Sequence, residues 1–237
     1  MAGRGGAAAD GPGPPRRGEL QHRPRRQHSQ LSAHFTLYAT GENATTGLWK
    51  IVQGKAQVRI AALPGTGLPN GLAYDKATKT FYAADSINGT IDTIPLAGGK
   101  VTTWDNDPAL RATGFLGVNG IKVHGGDVYA TNLDVGTVVK IPITKTGTAG
   151  TVDTVATGLK GIDDFAFTGR GDQIIAAVDP GNEVVTISAT GSVHTLLTAK
   201  DGLSNPTAVL VEGHAAYVLS AAYTTQKNPN LLVATLK

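Results

Sequence analysis

A repeat of about 45 residues constrains the fold of this chain more than any other feature. Four segments open with Asn or Asp and continue as a short alternating strand, at spacings of 49, 44 and 42 residues. They begin at Asn70, Asn119, Asp163 and Asn205. A second, more apolar strand follows each of them, and patterns for a third and a fourth strand recur within the unit. Repeated four-stranded units of this length predict the radial blades of an all-β propeller.

The number of copies indicates how complete this propeller is. An upstream copy of the second strand begins at Tyr38, but no inner strand is visible before Phe35, and the last copy ends with its third strand from Asn230. We therefore predict a six-bladed-type β-propeller of four-stranded blades, with about five blades present and two of them incomplete. Residues that should be buried between blades are Tyr82, Ile91, Val128, Val138, Phe165, Ile187 and Val218.

Composition separates an N-terminal tail from the repeats. Residues 1–34 are rich in Gly, Pro and His and carry six arginines against Asp10 and Glu19. We predict that they form a disordered tail and that residues 35–237 form the propeller domain. The tail is a solvated extension, an Arg-rich arm for RNA or acidic surfaces, or a segment that is not a natural part of this fold. Charges in the rest of the chain nearly balance, which disfavours nucleic-acid binding by the body.

Two further absences exclude classes of protein. The chain has no cysteine, which excludes disulfides, thiol catalysis and cysteine-ligated zinc. No apolar run approaches the roughly 18 residues of a membrane span, so we expect no transmembrane segment. The N-terminus also lacks the apolar stretch of a signal peptide, so the sequence leaves the compartment open.

The residues that open the inner strands are the candidate site. Inner strands of a propeller line a central channel, so their entry loops meet at one mouth. One interpretation of Asn70, Asn119, Asp163 and Asn205 is that they form turns and cap strand starts. The other is that four polar residues, distant in sequence, converge on one ligand.

These motifs resemble the SMP-30/gluconolactonase/LRE-like family of six-bladed propellers over residues 35–237. The resemblance rests on Pro69-Asn-Gly-Leu-Ala-Tyr-Asp, Tyr82-Ala-Ala-Asp-Ser, Val118-Asn-Gly-Ile, Ile162-Asp-Asp-Phe-Ala-Phe and Asn205-Pro-Thr. It implies a divalent cation (Ca²⁺, Mg²⁺ or Mn²⁺) with Asn119 and Asp163 as ligands, and substrate contacts from Asn70 and Asn205. Asp164 would be the catalytic carboxylate that activates water, unless strand alternation turns it away from Asp163. The sequence departs from the family pattern at Val118 and Ile162, where the family has proline, and at Asp164, where it has glycine.

The activity that this resemblance implies is metal-dependent hydrolysis of lactones or sugar-like esters. The family's first blade supplies a metal-binding glutamate, and neither Glu19 nor Glu42 stands in a matching motif. We therefore expect a truncated or open propeller with impaired activity, and a secreted or periplasmic location for the intact protein. One alternative is a non-catalytic propeller that binds a small molecule or a protein partner at the channel mouth. Another is a scaffold with no channel ligand.

Overall fold

The structure, a computed structural model, describes residues 35–39 (backbone only), 45–52 and 54–236. The tail predicted over residues 1–34 lies outside the described residues. Within them the fold is all-β, with eighteen strands and two 3₁₀ turns at Pro108–Leu110 and Ala199–Asp201. None of the described residues belongs to a helix long and apolar enough to cross a membrane.

The strands form five antiparallel sheets, which are the blades and follow one another in chain order. Blade 1 contains β1 (Phe35–Ala39), β2 (Gly47–Ile51) and β3 (Val58–Ala62). Blade 2 contains β4 (Pro69–Asp75), β5 (Thr80–Asp85), β6 (Thr90–Pro95) and β7 (Thr102–Asp105). Blade 3 contains β8 (Val118–His124), β9 (Asp127–Asn132), β10 (Thr137–Pro142) and β11 (Asp153–Ala156). Blade 4 contains β12 (Ile162–Phe167), β13 (Ile174–Val178), β14 (Glu183–Ile187) and β15 (Val193–Leu197), and blade 5 contains β16 (Pro206–Glu212), β17 (Ala215–Ser220) and β18 (Asn230–Thr235).

The first strands of blades 2 to 5 are the inner strands of a propeller. β4, β8, β12 and β16 contact one another in that order, and each begins a meander of antiparallel neighbours. Blades 2, 3 and 4 have four strands, whereas blades 1 and 5 have three among the described residues. The predicted fold class, an all-β propeller of about five blades with two incomplete, is confirmed.

Apolar residues between neighbouring blades form the core. Four clusters of buried side chains lie between successive pairs of blades. The predicted interblade residues Tyr82, Ile91, Val128, Val138, Phe165, Ile187 and Val218 are all at most 2% exposed. Their burial agrees with the predicted packing between blades.

Each inner strand of blades 2 to 5 is bulged at its start. The pairing with the second strand shifts register directly after the first residue in all four, that is after Pro69, Val118, Ile162 and Pro206. Bulges leave a residue unpaired and re-aim its side chain, and they occur preferentially beside functional sites. The residues without a partner in this pairing are Asn70 in blade 2, Asn119 and Gly120 in blade 3, Asp163 and Asp164 in blade 4, and Thr207 in blade 5.

Close approach of the inner strands explains the glycine of the two Asn-Gly pairs. A Cβ on Gly71 would lie 2.2 Å from the backbone oxygen of Asn119, and one on Gly120 would lie 2.7 Å from the backbone oxygen of Asp163. Neither glycine has a positive φ. Contact with the next blade, rather than a turn, therefore requires glycine at these positions.

Candidate functional site

A cavity of about 700 Å³ opens at the channel mouth. Its polar lining comprises Asn70, Asn119, Asp163, Asp179, Thr207 and Thr224. Its apolar lining comprises Leu68, Phe115, Leu116, Leu133, Pro180 and Tyr223. No lysine, arginine or histidine is among the described residues that line it, so the two carboxylates determine its charge.

The structure brings three of the predicted site residues to this one cavity. Asn70, Asn119 and Asp163 all line it, and each is the second residue of its inner strand, β4, β8 or β12. Asn119 is 2% exposed, and its side-chain amide makes no hydrogen bond with any residue that the structure describes. The amide faces the cavity and can therefore hydrogen-bond to a ligand there.

Hydroxyl groups in or directly after the second strands hold the backbone of these residues in place. The Thr131 hydroxyl accepts a hydrogen bond from the Gly120 N–H (2.8 Å) and donates one to the backbone oxygen of Asp163 (2.6 Å). Ser86 donates to the backbone oxygen of Val118 at 2.7 Å. Each hydroxyl joins one blade to the next, so the mouth residues are held by contacts between blades.

Asp163 has the most perturbed environment in the cavity. Burial raises the pKa of its carboxyl to about 7, and the negative charges of Asp164 and Asp179 add to this effect. The positive charge of Lys122 acts in the opposite direction but does not cancel them. A carboxyl that changes protonation near neutral pH is typical of sites that bind cations or transfer protons.

Asp179 is a site residue that the sequence patterns did not reveal. It follows β13 directly, and because Ile162 pairs with Val178 it stands beside Asp163 at the mouth. Its Oδ1 atom is buried without a hydrogen-bond partner among the described residues. Burial raises the pKa of this carboxyl, while a hydrogen bond from Asn205 acts to lower it. The pairing of β12 with β13 was the signal that could have located it.

Asp164, predicted as the catalytic carboxylate, does not line the cavity. It forms an ion pair with Lys122 on the inner strand of blade 3. Asp163 and Asp164 together oppose Ala177 in the bulge, and the Asp164 side chain is directed to Lys122 of blade 3 instead of the cavity. Lys122 also lies over the ring of Phe165, 5.2 Å from its centroid, which makes this pair part of the contact between blades 3 and 4.

Asn205, predicted as a substrate contact, holds a loop and does not line the cavity. It is 1% exposed, and its Oδ1 accepts hydrogen bonds from the backbone N–H groups of Thr224 (2.9 Å) and Thr225 (3.1 Å). The position in blade 5 that corresponds to Asn70 is Thr207, because both residues follow the proline that opens an inner strand. The candidate set therefore becomes Asn70, Asn119, Asp163, Asp179 and Thr207.

The oxygen donors of the cavity suit a hard divalent cation. Carboxylate and amide oxygens are preferred by Ca²⁺, Mg²⁺ and Mn²⁺, whereas zinc prefers nitrogen and sulfur. No group of three or more His, Cys, Asp or Glu side chains within the described ranges is arranged to hold a metal. A cation at the mouth would therefore need the amide of Asn119 beside the carboxylates of Asp163 and Asp179.

A second cavity, of about 380 Å³, has fewer groups that could bind a cation or take part in catalysis. It lies against blades 4 and 5, and Arg170 is the one charged residue in its described lining. Arg170 is exposed, and no carboxylate stands with it. The mouth is therefore the better candidate site.

Comparison with known proteins shows the fold alone. No family model and no curated protein matches the chain by sequence. Similar solved structures include a chain of the nidogen–laminin complex, with 18% identity and a TM-score of 0.64 over 85% of this chain and 72% of that one. The calcium-binding protein regucalcin of Agrobacterium tumefaciens has 16% identity and a TM-score of 0.61 over 81% of this chain and 66% of its own.

A third similar structure is virginiamycin B lyase of Staphylococcus aureus, with 14% identity and a TM-score of 0.56 over 76% of this chain. This chain spans 61% of the lyase, 66% of regucalcin and 72% of the nidogen–laminin chain. At these identities the similarity supports a shared fold and does not extend to binding or catalysis. The chain folds as a β-propeller.

Proposed function

We propose that this chain is a propeller of the SMP-30 type whose channel mouth binds a small molecule with the help of a divalent cation. Hydrolysis of a lactone or another ester is the reaction that such a site would carry out. The observation that carries the proposal is the shared cavity of Asn119, Asp163 and Asp179, in which the Asn119 amide and a buried carboxylate oxygen of Asp179 have no hydrogen-bond partner among the described residues. The similarity of fold to the calcium-binding protein regucalcin supports it.

Each polar residue has a distinct role in this proposal. Asn119, Asp163 and Asp179 would hold the cation, which when bound polarises a carbonyl oxygen as a Lewis acid. Asn70 is exposed at the rim of the cavity, and Thr207 is partly exposed, so both can donate hydrogen bonds to a ligand. At neutral pH Asp163 can also hold or release a proton, because its pKa of about 7 lies close to the ambient pH.

A non-catalytic binding propeller is the second candidate. It is favoured by the position of Asp164, whose ion pair with Lys122 keeps it outside the cavity. Without Asp164, the carboxylates available to activate water are the two that a cation would occupy. A propeller of this kind would bind the same ligand and release it unchanged.

The cation is tested by titrating the protein with CaCl₂, MnCl₂ and MgCl₂ in a calorimeter. Asp163→Asn keeps the size of the side chain and removes one negative charge, so we expect cation affinity to fall at least tenfold. Asp153→Asn is the matched control, since it makes the same change at an exposed position on β11. Equal affinity in the wild type and in Asp163→Asn would remove Asp163 from the site.

Catalysis is tested separately, with a pH-indicator assay for acid released from a panel of lactones. Turnover that requires the added cation and is lost in Asp163→Asn supports the hydrolase. Saturable binding of a lactone without turnover supports the second candidate instead.

A further inference from the structure

The rim of the mouth carries an exposed phenylalanine on a firmly held loop. Phe115 lines the cavity and is 72% exposed. The backbone N–H groups of Thr113 (2.9 Å), Gly114 (2.7 Å) and Phe115 (2.7 Å) all donate to one oxygen of Asp134. Burial alone would raise the pKa of Asp134, but these backbone donors outweigh it and lower the pKa. The loop is therefore fixed in the conformation that presents the phenyl ring to solvent.

A second loop presents an exposed tyrosine to the same cavity. Tyr223 lines it and is 66% exposed. The two residues after it are held by the side chain of Asn205, and Tyr223 itself follows Ala222, whose φ is 56°. A non-glycine residue in this left-handed region stores strain on the order of 1 kcal/mol, and such strain is concentrated at functional sites.

The two aromatic residues stand over a cavity with two unlike sides. Leu68, Leu116 and Leu133 continue the apolar lining, whereas Asn119, Asp163 and Asp179 form the polar part. Neither ring packs in the hydrophobic core, because each remains mostly exposed. Exposed apolar surface beside a polar pocket is typical of ligand-binding sites, where the ligand removes that surface from water.

We propose that the ligand of this cavity is amphipathic, with an apolar ring or chain against Phe115 and Tyr223 and an oxygen-bearing polar group at Asn119, Asp163 and Asp179. This inference rests on the proposed function, that the mouth binds a small molecule, and it adds the class of ligand. A hydroxyl-rich sugar would leave the leucines of the lining without an apolar partner. A lactone with an alkyl chain matches both sides of the cavity.

Two lactones with the same six-membered ring provide the test. δ-Undecalactone carries a hexyl chain, and glucono-δ-lactone carries hydroxyl groups instead. Binding of each to the full chain is measured by saturation-transfer NMR, recorded within minutes of mixing, in the presence of calcium. We expect δ-undecalactone to bind at least tenfold more tightly, and Phe115→Ala or Tyr223→Ala to weaken its binding about tenfold.

Control variants separate the rings from the fold and from the cation. Leu210→Ala removes a residue that is 61% exposed on blade 5 and does not line the cavity, so it should leave binding unchanged. Phe115→Leu keeps an apolar side chain and should retain most of the affinity. Calcium affinity should be the same in Phe115→Ala as in the wild type.

Three outcomes would overturn the inference. They are equal or tighter binding of glucono-δ-lactone, unchanged affinity for δ-undecalactone in both aromatic-to-alanine variants, and calcium binding without binding of either lactone. The last result would leave the proposed cation site standing. Conversely, δ-undecalactone binding that needs both rings but no cation would support the ligand class and contradict the proposed cation.

Discussion

At the scale of single residues, the unusual feature of this protein is a pair of neighbouring carboxyls at the mouth of the channel. Asp163 lies at the start of β12 and Asp179 directly follows β13 in blade 4, and both line one cavity, so the charge of Asp179 opposes ionisation of Asp163. In the absence of a cation this arrangement makes the ionised form of Asp163 costly. The cost makes the site receptive to positive charge.

This cost predicts how stability depends on pH. The pKa of Asp163 is about 7 in the folded chain against an ordinary value of 3.8, so between these values the folded state binds more protons than the unfolded state. The contribution of Asp163 to the free energy of unfolding therefore falls as pH rises through this window. The asparagine of Asp163→Asn is neutral at every pH, so this variant should melt at a higher temperature than the wild type at about pH 8, with a smaller gain at about pH 5.

The melting temperatures are measured by scanning calorimetry in EDTA, which removes bound cations. Asp153→Asn, at an exposed site, should show no such difference between the two pH values. An equal gain for Asp163→Asn at both pH values would mean that the Asp163 carboxyl ionises normally.

Asp179 supports a second prediction at this scale. Asp179→Asn removes one of the two carboxylates, so cation affinity should fall at least tenfold, as in Asp163→Asn. The pKa of Asp163, followed by NMR of its carboxyl carbon without cation, should fall because a neighbouring negative charge is lost. Unchanged values for both quantities would show that Asp179 points away from Asp163 in solution.

Sequence alone located part of this site, and the reason lies in the repeat. Asn70, Asn119 and Asp163 stand at equivalent positions of successive units, so one motif pointed to all three. Asp179 has no such counterpart, because blades 2 and 3 have Ser86 and Leu133 at the equivalent position. Aligning Asn205 with Asn70 placed the blade 5 site residue two positions too early, because blade 5 lacks an Asn-Gly pair and Thr207 occupies the bulge.

At the scale of strands, the packing of inner strands determines which residues the motifs can contain. Gly120→Ala would place a Cβ 2.7 Å from the Asp163 backbone oxygen, which cannot move without shifting blade 4. We expect this variant to lose about 1–3 kcal/mol of unfolding free energy, measured by urea denaturation.

Gly181→Ala is the control for this prediction. Its Cβ would meet its nearest neighbour, Val178, at an ordinary 3.5 Å, and Gly181 has no positive φ. Similar losses in both variants would mean that backbone freedom, rather than the contact between blades, explains the glycine at position 120.

Most strands were predictable because each unit repeats the same order of apolar and polar residues. Loops were not, because their conformations depend on single side chains from elsewhere in the chain. The loop that presents Phe115 is held by Asp134, about twenty residues later. No local pattern in residues 113–116 indicates that contact.

At the scale of the whole molecule, blade 5 has an apolar face without a neighbour among the described residues. Leu210, Leu219, Leu231 and Val233 share this face and are between 49% and 62% exposed. The opposite face, with Val209 and Val218, is buried against blade 4. An apolar sheet face of this kind promotes association.

We therefore expect the chain to self-associate at concentrations of tens of micromolar, as measured by sedimentation velocity. Replacing Leu231 and Val233 with lysine should shift the population towards monomer. Leu96→Lys, which adds one charge at a residue 45% exposed on blade 2, should not. A wild-type chain that sediments as a monomer would show that this face does not mediate self-association in solution.

The bulge at the start of each inner strand separates two roles that a regular strand would combine. The strand on either side of the bulge maintains the pairing, while the first residue of the bulge is outside the ladder and is Asn, Asn, Asp and Thr in successive blades. Blades 2 to 5 thus each place one such side chain at the mouth of the channel. A library randomised only at positions 70, 119, 163 and 207 would vary the binding residues without changing the residues that pair the strands.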